Sequence, residues 1–181
     1  EITNTGQIIA GTDEGIIIID TLAMLKGSDS FKNSHSWSLP VRVIRQDNWG
    51  NLWMGTDKNG LFRLSSKIVK NLITSSTNSL LDVSNNYTYN SELKSSISSS
   101  AITCITEDNS GKMWIGTNSG LNQYRQETDD FIHYFVKDGL PSNYITGIVV
   151  DQKNNLWISS KKGISLFDQE SKKFKNYGLE D

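Results

Sequence analysis

Trp114-Ile115-Gly116-Thr117-Asn118-Ser119-Gly120-Leu121 decides the fold, because variants of it occur four times along the chain. Ile9-Ala10-Gly11-Thr12, Trp53-Met54-Gly55-Thr56 and Trp157-Ile158-Ser159-Ser160 repeat its first half. Each is followed by a polar turn ending in Gly15, Gly60, Gly120 or Gly163 and then by a second apolar run. Recurrence of this kind marks a repeat architecture, in which one small unit buries its faces only by stacking on its neighbours. The anchors Ile9, Trp53, Trp114 and Trp157 stand 44, 61 and 43 positions apart. The longer middle interval places an insertion between Leu64 and Ala101, rich in Ser, Asn and Thr, which reads as a long polar loop.

Working outward from the tryptophans, an aspartate stands six residues before each: Asp47, Asp108 and Asp151. Gly50, Gly111 or Asn154 follows three residues later, with Gly6 in register in the first repeat, where Thr3 takes the aspartate's place. Gly and Asn tolerate the positive φ of a tight hairpin, and the Asp side chain can hold such a turn through nearby backbone N–H groups. Apolar residues lie three and six positions ahead of each aspartate: Ile44 and Val41, Ile105 and Ile102, Ile148 and Ile145. Two short apolar strands therefore flank each Asp-x-x-Gly turn, and a third follows the glycine turn. A fourth is clear where Phe131 and Tyr134, and likewise Phe174 and Tyr177, fall at matching distances from Gly120 and Gly163. Four antiparallel strands per 40–45 residues is the size of a propeller blade. The expected fold is all-β: a partial β-propeller of about four four-stranded blades with an incomplete first blade, not a closed ring. The blades fall at about 1–38, 39–100 (with the polar insert around 65–100), 101–138 and 139–181.

The continuous apolar run around each tryptophan fits a strand packed on both faces. Burying one indole removes about 150–250 Å² from water, worth about 4–6 kcal/mol gross. Trp53, Trp114 and Trp157 are therefore read as rivets between sheets, and Asp47, Asp108, Asp151, Gly50 and Gly111 as structural turn positions. The glycine of Gly-Thr permits close approach between sheets, and the threonine suits a strand. Trp49 sits inside a turn and is expected to be partly exposed.

Composition excludes several function classes. A net charge of −2 argues against a nucleic-acid partner, which needs a clustered basic face. No run approaches the ~18 apolar residues that span a bilayer, and no signal peptide is visible. Cys104 is the lone cysteine and reads as a small buried hydrophobe, and no metal or cofactor site is expected. His35 and His133 lack metal-spaced partners. No nucleophile elbow or phosphate-cradling glycine loop occurs, so this segment is not expected to be an enzyme. Asn86-Tyr87-Thr88 matches a glycosylation sequon, a weak pattern.

The stretch from Trp114 to Leu121, with Phe131, Tyr134 and then Asp138-Gly139-Leu140-Pro141-Ser142-Asn143, resembles the two-component regulator propeller repeat. That resemblance covers nearly the whole chain outside the polar insert. It implies the periplasmic sensor region of a hybrid two-component histidine kinase of the kind found in Bacteroidetes. In that family two seven-bladed propellers and a β-sandwich precede a membrane helix and a kinase, and the sensor responds to carbohydrate breakdown products. The implied role is non-catalytic sensing of an oligosaccharide ligand. A protein-interaction propeller without a small-molecule ligand is the alternative, and a propeller lyase or hydrolase fragment a third reading.

Recognition is expected at the non-identical turns on identical frames: Asp57, Lys58, Asn59, Asn118, Ser119, Lys161 and Lys162, with Pro141 to Tyr144 beside them. Tyr177 is followed four residues later by Asp181, as Tyr134 is by Asp138, and Thr3 falls where a turn aspartate should be. The segment is therefore expected to be part of a wider ring, and to self-associate as a homodimer or higher oligomer through open blade faces. No direct membrane contact is expected in this segment.

Overall fold

The computed structural model describes residues 1–3, 7–20, 34–36, 39–71 and 84–178. Gly6, Trp37, the Ser75–Asn78 run and Asp181 lie outside them. Sheet 1 comprises β1 (Gln7–Thr12), β2 (Gly15–Asp20) and β3 (Ser34–Ser36). Sheet 2 comprises β4 (Val43–Gln46), β5 (Leu52–Gly55), β6 (Leu61–Leu64) and β7 (Asn85–Tyr87), with a short helix α1 (Ser66–Asn71) after β6. Sheet 3 runs β8 (Ile102–Glu107), β9 (Met113–Thr117), β10 (Gly120–Arg125) and β11 (Asp130–Tyr134). Sheet 4 runs β12 (Ile145–Val150), β13 (Leu156–Ser160), β14 (Gly163–Asp168) and β15 (Lys173–Tyr177). All pairings are antiparallel and sequential, so each sheet is a meander, and together the four form an open arc of a β-propeller. Among the described residues sheet 1 has three strands; beside β1, residues 1–3 contribute one bridge, Ile2 to Ile8, where the other sheets carry a full first strand.

Alternation along each strand explains why its apolar run is continuous. In sheet 2, Leu52, Met54, Phe62 and Leu64 pack with Ile9, Ile16 and Ile18 of sheet 1. Their neighbours Trp53 and Leu61 point the other way, against Ile102, Ile105, Met113 and Tyr124 of sheet 3. Sheet 3 repeats the pattern: Trp114 and Leu121 pack on Ile145, Ile148, Leu156, Ile158 and Phe167 of sheet 4. The three-residue spacing of Ile102–Ile105 and Ile145–Ile148 does not fit strict alternation. A β-bulge between Ile102 and Cys104, and another between Ile145 and Gly147, adds one residue and brings both isoleucines to one face.

The glycines of Gly-Thr set the distance between sheets. A Cβ on Gly55 would stand 2.5 Å from Ile102 Cγ2 of the next sheet, and one on Gly116 would stand 2.8 Å from Ile145 Cγ2. The threonines do more than suit a strand. Thr56 Oγ donates to the Gly60 carbonyl (2.9 Å) while accepting from the Asn59 N–H (2.8 Å). Thr117 makes the same pair with Gly120 and Ser119. Ser160 does so with Gly163 and Lys162, so its departure from threonine preserves the turn.

Two expectations need correction. The insert around 65–100 is not simply a polar loop: α1 lies there and buries Val69 under sheets 1 and 2, and β7 completes sheet 2. Ile97 is fully buried five residues before Ile102, as Leu140 is five before Ile145, so the Ser95–Ser100 run belongs to the repeat. Nor is Trp157 a buried rivet: it is 38% exposed, against 1% for Trp53 and 0% for Trp114, because its face of sheet 4 carries no neighbouring sheet in the structure.

Candidate functional site

The aspartates are the most heavily bonded side chains in the repeat. Asp47 Oδ1 accepts the backbone N–H groups of Trp49 (3.1 Å) and Asn51 (2.8 Å), and its Oδ2 accepts the Trp53 indole N–H at 2.8 Å. Asp108 repeats this with Ser110, Lys112 and the Trp114 indole (2.9 Å). Asp151 repeats it with Lys153 and Asn155, its bond to the Trp157 indole lengthening to 3.4 Å. Thr3 substitutes in sheet 1, accepting from the Gln7 N–H at 3.0 Å. Burial works against ionisation of Asp108, but bonds from Ser110, Trp114 and Lys112 outweigh it and hold the carboxyl below its ordinary range. Bonds led by the Asn155 N–H do the same for Asp151. These carboxylates are committed to turn and indole, and are not free for acid–base chemistry.

The turns expected to carry recognition lie at the opposite end of the sheets. Asp57 pairs with Arg42 at 2.5 Å, both half exposed. Asp57 is the main cause that raises the Arg42 guanidinium above its ordinary range, with a smaller contribution from the Tyr144 phenol. Lys161 donates its backbone N–H to the Tyr144 carbonyl (3.2 Å) and sets its ammonium 3.9 Å from the centre of the Tyr144 ring. Lys58, Asn59, Asn118 and Lys162 stand exposed on their separate turns. Ser119 borders a groove of about 430 Å³ with Tyr89, Leu93, His133 and Phe135. The structure therefore brings together Tyr144 with Lys161, and Asp57 with Arg42. Arg42 escaped sequence reasoning because it lies outside every turn motif, one residue after buried Val41.

His133 lies on the outermost strand of sheet 3 with Nε2 2.7 Å from the Ser96 carbonyl, and burial lowers its pKa. Burial pushes the Cys104 thiol up to about 11, which favours the protonated form at neutral pH. Among the described residues no three His, Cys, Asp or Glu side chains are grouped to hold a metal, and no helix is long and apolar enough to cross a membrane.

A second cleft, of about 300 Å³, opens between sheets 2 and 3 at the Asp-x-x-Gly end. Trp49 stands over it, 54% exposed. The ring leans on the neighbouring turn at Gly111, where an added Cβ would stand 3.0 Å from Trp49 Cη2. The Asn48 N–H anchors Trp49's own turn to the Glu107 carboxylate of sheet 3, at 3.0 and 3.2 Å.

A family model described as the two component regulator propeller matches residues 36–58, 96–119 and 139–162. Each match runs from the approach to a first strand, across the Asp-x-x-Gly turn, to the polar turn after the tryptophan strand. No curated protein matches the chain in sequence. Among solved structures, the extracellular domain of a protein described as the hybrid two component system BT4673 of B. thetaiotaomicron superposes with a TM-score of 0.75. It is 17% identical, over 99% of this chain and 24% of its own. A second such domain from that organism, BT3049, gives a TM-score of 0.72 at 17% identity, over 100% of this chain and 24% of its own. Virginiamycin B lyase from Staphylococcus aureus gives 0.59 at 17% identity, over 97% of this chain and 56% of its own. This chain thus spans about a quarter of the length of the two Bacteroides domains. At these identities the likeness is one of fold.

Proposed function

We propose that this chain, three segments of which match the two component regulator propeller model, is part of the extracytoplasmic sensor region of a hybrid two-component system. Its role there is non-catalytic, periplasmic sensing of a glycan-derived ligand. The observation that carries the reading is the threefold repeat match on a fold that superposes on extracellular domains described as belonging to hybrid two component systems, over essentially all of this chain. The site chemistry agrees with it. The repeated carboxylates are consumed by turns and indoles, while at the other end of the sheets Asp57 meets Arg42 and Lys161 meets Tyr144 in polar contact.

Signalling follows from a difference in binding. A ligand that prefers one arrangement of propellers shifts the population toward it, and the shift reaches the kinase through the membrane helix of the parent protein. The test is a thermal-shift screen of the protein against oligosaccharides of differing linkage and charge. A ligand at ~100 times its Kd adds about 2.7 kcal/mol to stability, which moves the melting temperature by several degrees. A panel that shifts nothing, together with capture of a protein partner at a defined affinity, replaces this reading with that of an interaction propeller.

A further inference from the structure

Arg63 occupies a place that the repeat does not predict. It pairs across the sheet with Trp53, where Trp114 faces Gln123 and Trp157 faces Leu166. Its guanidinium lies 5.2 Å from the centre of the Trp53 ring and 5.6 Å from that of Tyr124. Nη1 donates to the Tyr124 hydroxyl at 3.1 Å, and Nε is withdrawn from solvent without any partner. Among the described residues Arg63 pairs with no carboxylate. Asp129 accepts from the Tyr124 hydroxyl and so lies one hydrogen bond removed from the guanidinium; the half-buried cation makes no direct ion pair and keeps an unused Nε–H, an arrangement that favours an incoming anion.

That cation lines the 300 Å³ cleft beneath Trp49. Lys112, from the facing turn of sheet 3, adds a second cation to the lining and forms no ion pair among the described residues. Arg125 on the same wall is already neutralised by Asp130; the lining also holds two carboxylates, Glu127 and Asp47, the latter taken up by the Trp49 and Asn51 N–H groups and the Trp53 indole. Trp49 offers an exposed flat ring that its turn already holds in place, with no hydrogen bond on its indole nitrogen. A flat aromatic face with a few polar groups in a concave mouth suits a sugar ring, and the volume sits at the lower end of the ~300–1,000 Å³ of small-ligand sites. The flanking sheets 2 and 3 are both present, so both walls of the cleft are in place.

We propose that this cleft binds a carboxylate-bearing monosaccharide, a uronate or the uronate end of a short oligosaccharide. Its carboxylate meets Arg63 and Lys112, and its ring lies against Trp49. The inference rests on the sensor reading above and gives that reading a location.

Calorimetric titration of the protein with galacturonate and glucuronate tests it, with galactose and glucose as neutral counterparts and acetate as a carboxylate without a ring. A uronate is expected to bind while the neutral sugars and acetate bind about 10- to 100-fold more weakly. Trp49→Ala is an exposed change, and Arg63→Gln installs the residue type that the next repeat carries at that place; each is expected to cost about tenfold or more. In a 15N spectrum the Trp49 indole resonance should move on uronate addition. Uronate binding that survives both substitutions places the ligand elsewhere and overturns this site while leaving the sensor reading intact. Equal binding of galactose and galacturonate overturns the anionic specificity. No uronate binding at ~10 mM, where even a site of ~1 mM affinity is nearly filled, overturns the proposal; the wider oligosaccharide screen then decides the sensor reading alone.

Discussion

Around its indole, the contact between sheets 3 and 4 is made of aromatic and aliphatic side chains, whereas the contact between sheets 2 and 3 places a cation and a carboxylate there. In the first, Trp114 meets Tyr134 and Phe167, and Phe167 meets Phe174 with ring centres 4.5 Å apart. In the second, Trp53 meets Tyr87, Tyr124 and the Arg63 guanidinium, and both tyrosine hydroxyls donate to Asp129 Oδ1 at 2.6 Å. The frame is the same: an indole anchored to an aspartate six residues earlier, a bulged first strand opposite, and a glycine at the point of closest approach. Only the residues around that frame differ. The repeat thus fixes where sheets meet, and the choice of partners for the indole decides whether a seam serves packing alone or also leaves a polar cleft.

The largest way to break this comparison is to remove an indole. Trp114→Ala should cost about 3–5 kcal/mol of stability in chemical denaturation, because a fully buried indole leaves a cavity that its apolar neighbours refill only in part. Trp157→Ala, on the uncovered face, should cost only a small part of that. A smaller effect is expected from Asp108→Ala, which strands a buried indole N–H and two turn N–H groups; about 1–3 kcal/mol should be lost, with a blue-edge change in indole absorbance. Asp151→Ala should cost less, since its indole bond is long and exposed.

The same carboxylates should make stability depend on pH in the acid range. The folded pKa of Asp108 lies below its unfolded value, so its stabilisation is present above about pH 4 and is lost as pH falls through the lower, folded value. An acid titration of wild type against Asp108→Asn should show a shallower decline for the variant in that window. The smallest expected effect concerns sheet 4, where Val149, Trp157 and Ile164 lie exposed together. We expect weak self-association through that face. Sedimentation should show a concentration-dependent increase in mass over the micromolar range that Val149→Lys abolishes; a monomer throughout would remove this proposal.

Much of this was readable in the residues. Asp-x-x-Gly with a tryptophan six residues on located the turns, the strand order and the sheet-to-sheet contacts, because hairpin chemistry and burial are local signals. The aspartate–indole bond was not readable, since a side-chain pairing at six residues has no periodic signature and depends on where the hairpin folds back. Ile97 was hidden by the serines around it, although its distance from Ile102 matches that of Leu140 from Ile145. The bulges could have been suspected from the three-residue spacing of the isoleucines. The clefts were the least legible: Arg42 meets Asp57, and Arg63 meets Tyr124, only through contacts between separate strands or sheets. The turn residues expected to recognise a ligand were chosen by exposure, and exposure carries no information about which of them converge.

The bond from each carboxylate to its indole has a practical consequence. Trp53 and Trp114 each carry one exchangeable ring proton, donated at 2.8 and 2.9 Å and shut away from solvent, each at a different junction of the array. Deuterium uptake at those two protons would clock the opening of each junction separately, without any label being added. An array whose units hold only their neighbours has no reason to loosen everywhere at once, and these two protons would show which junction gives way first.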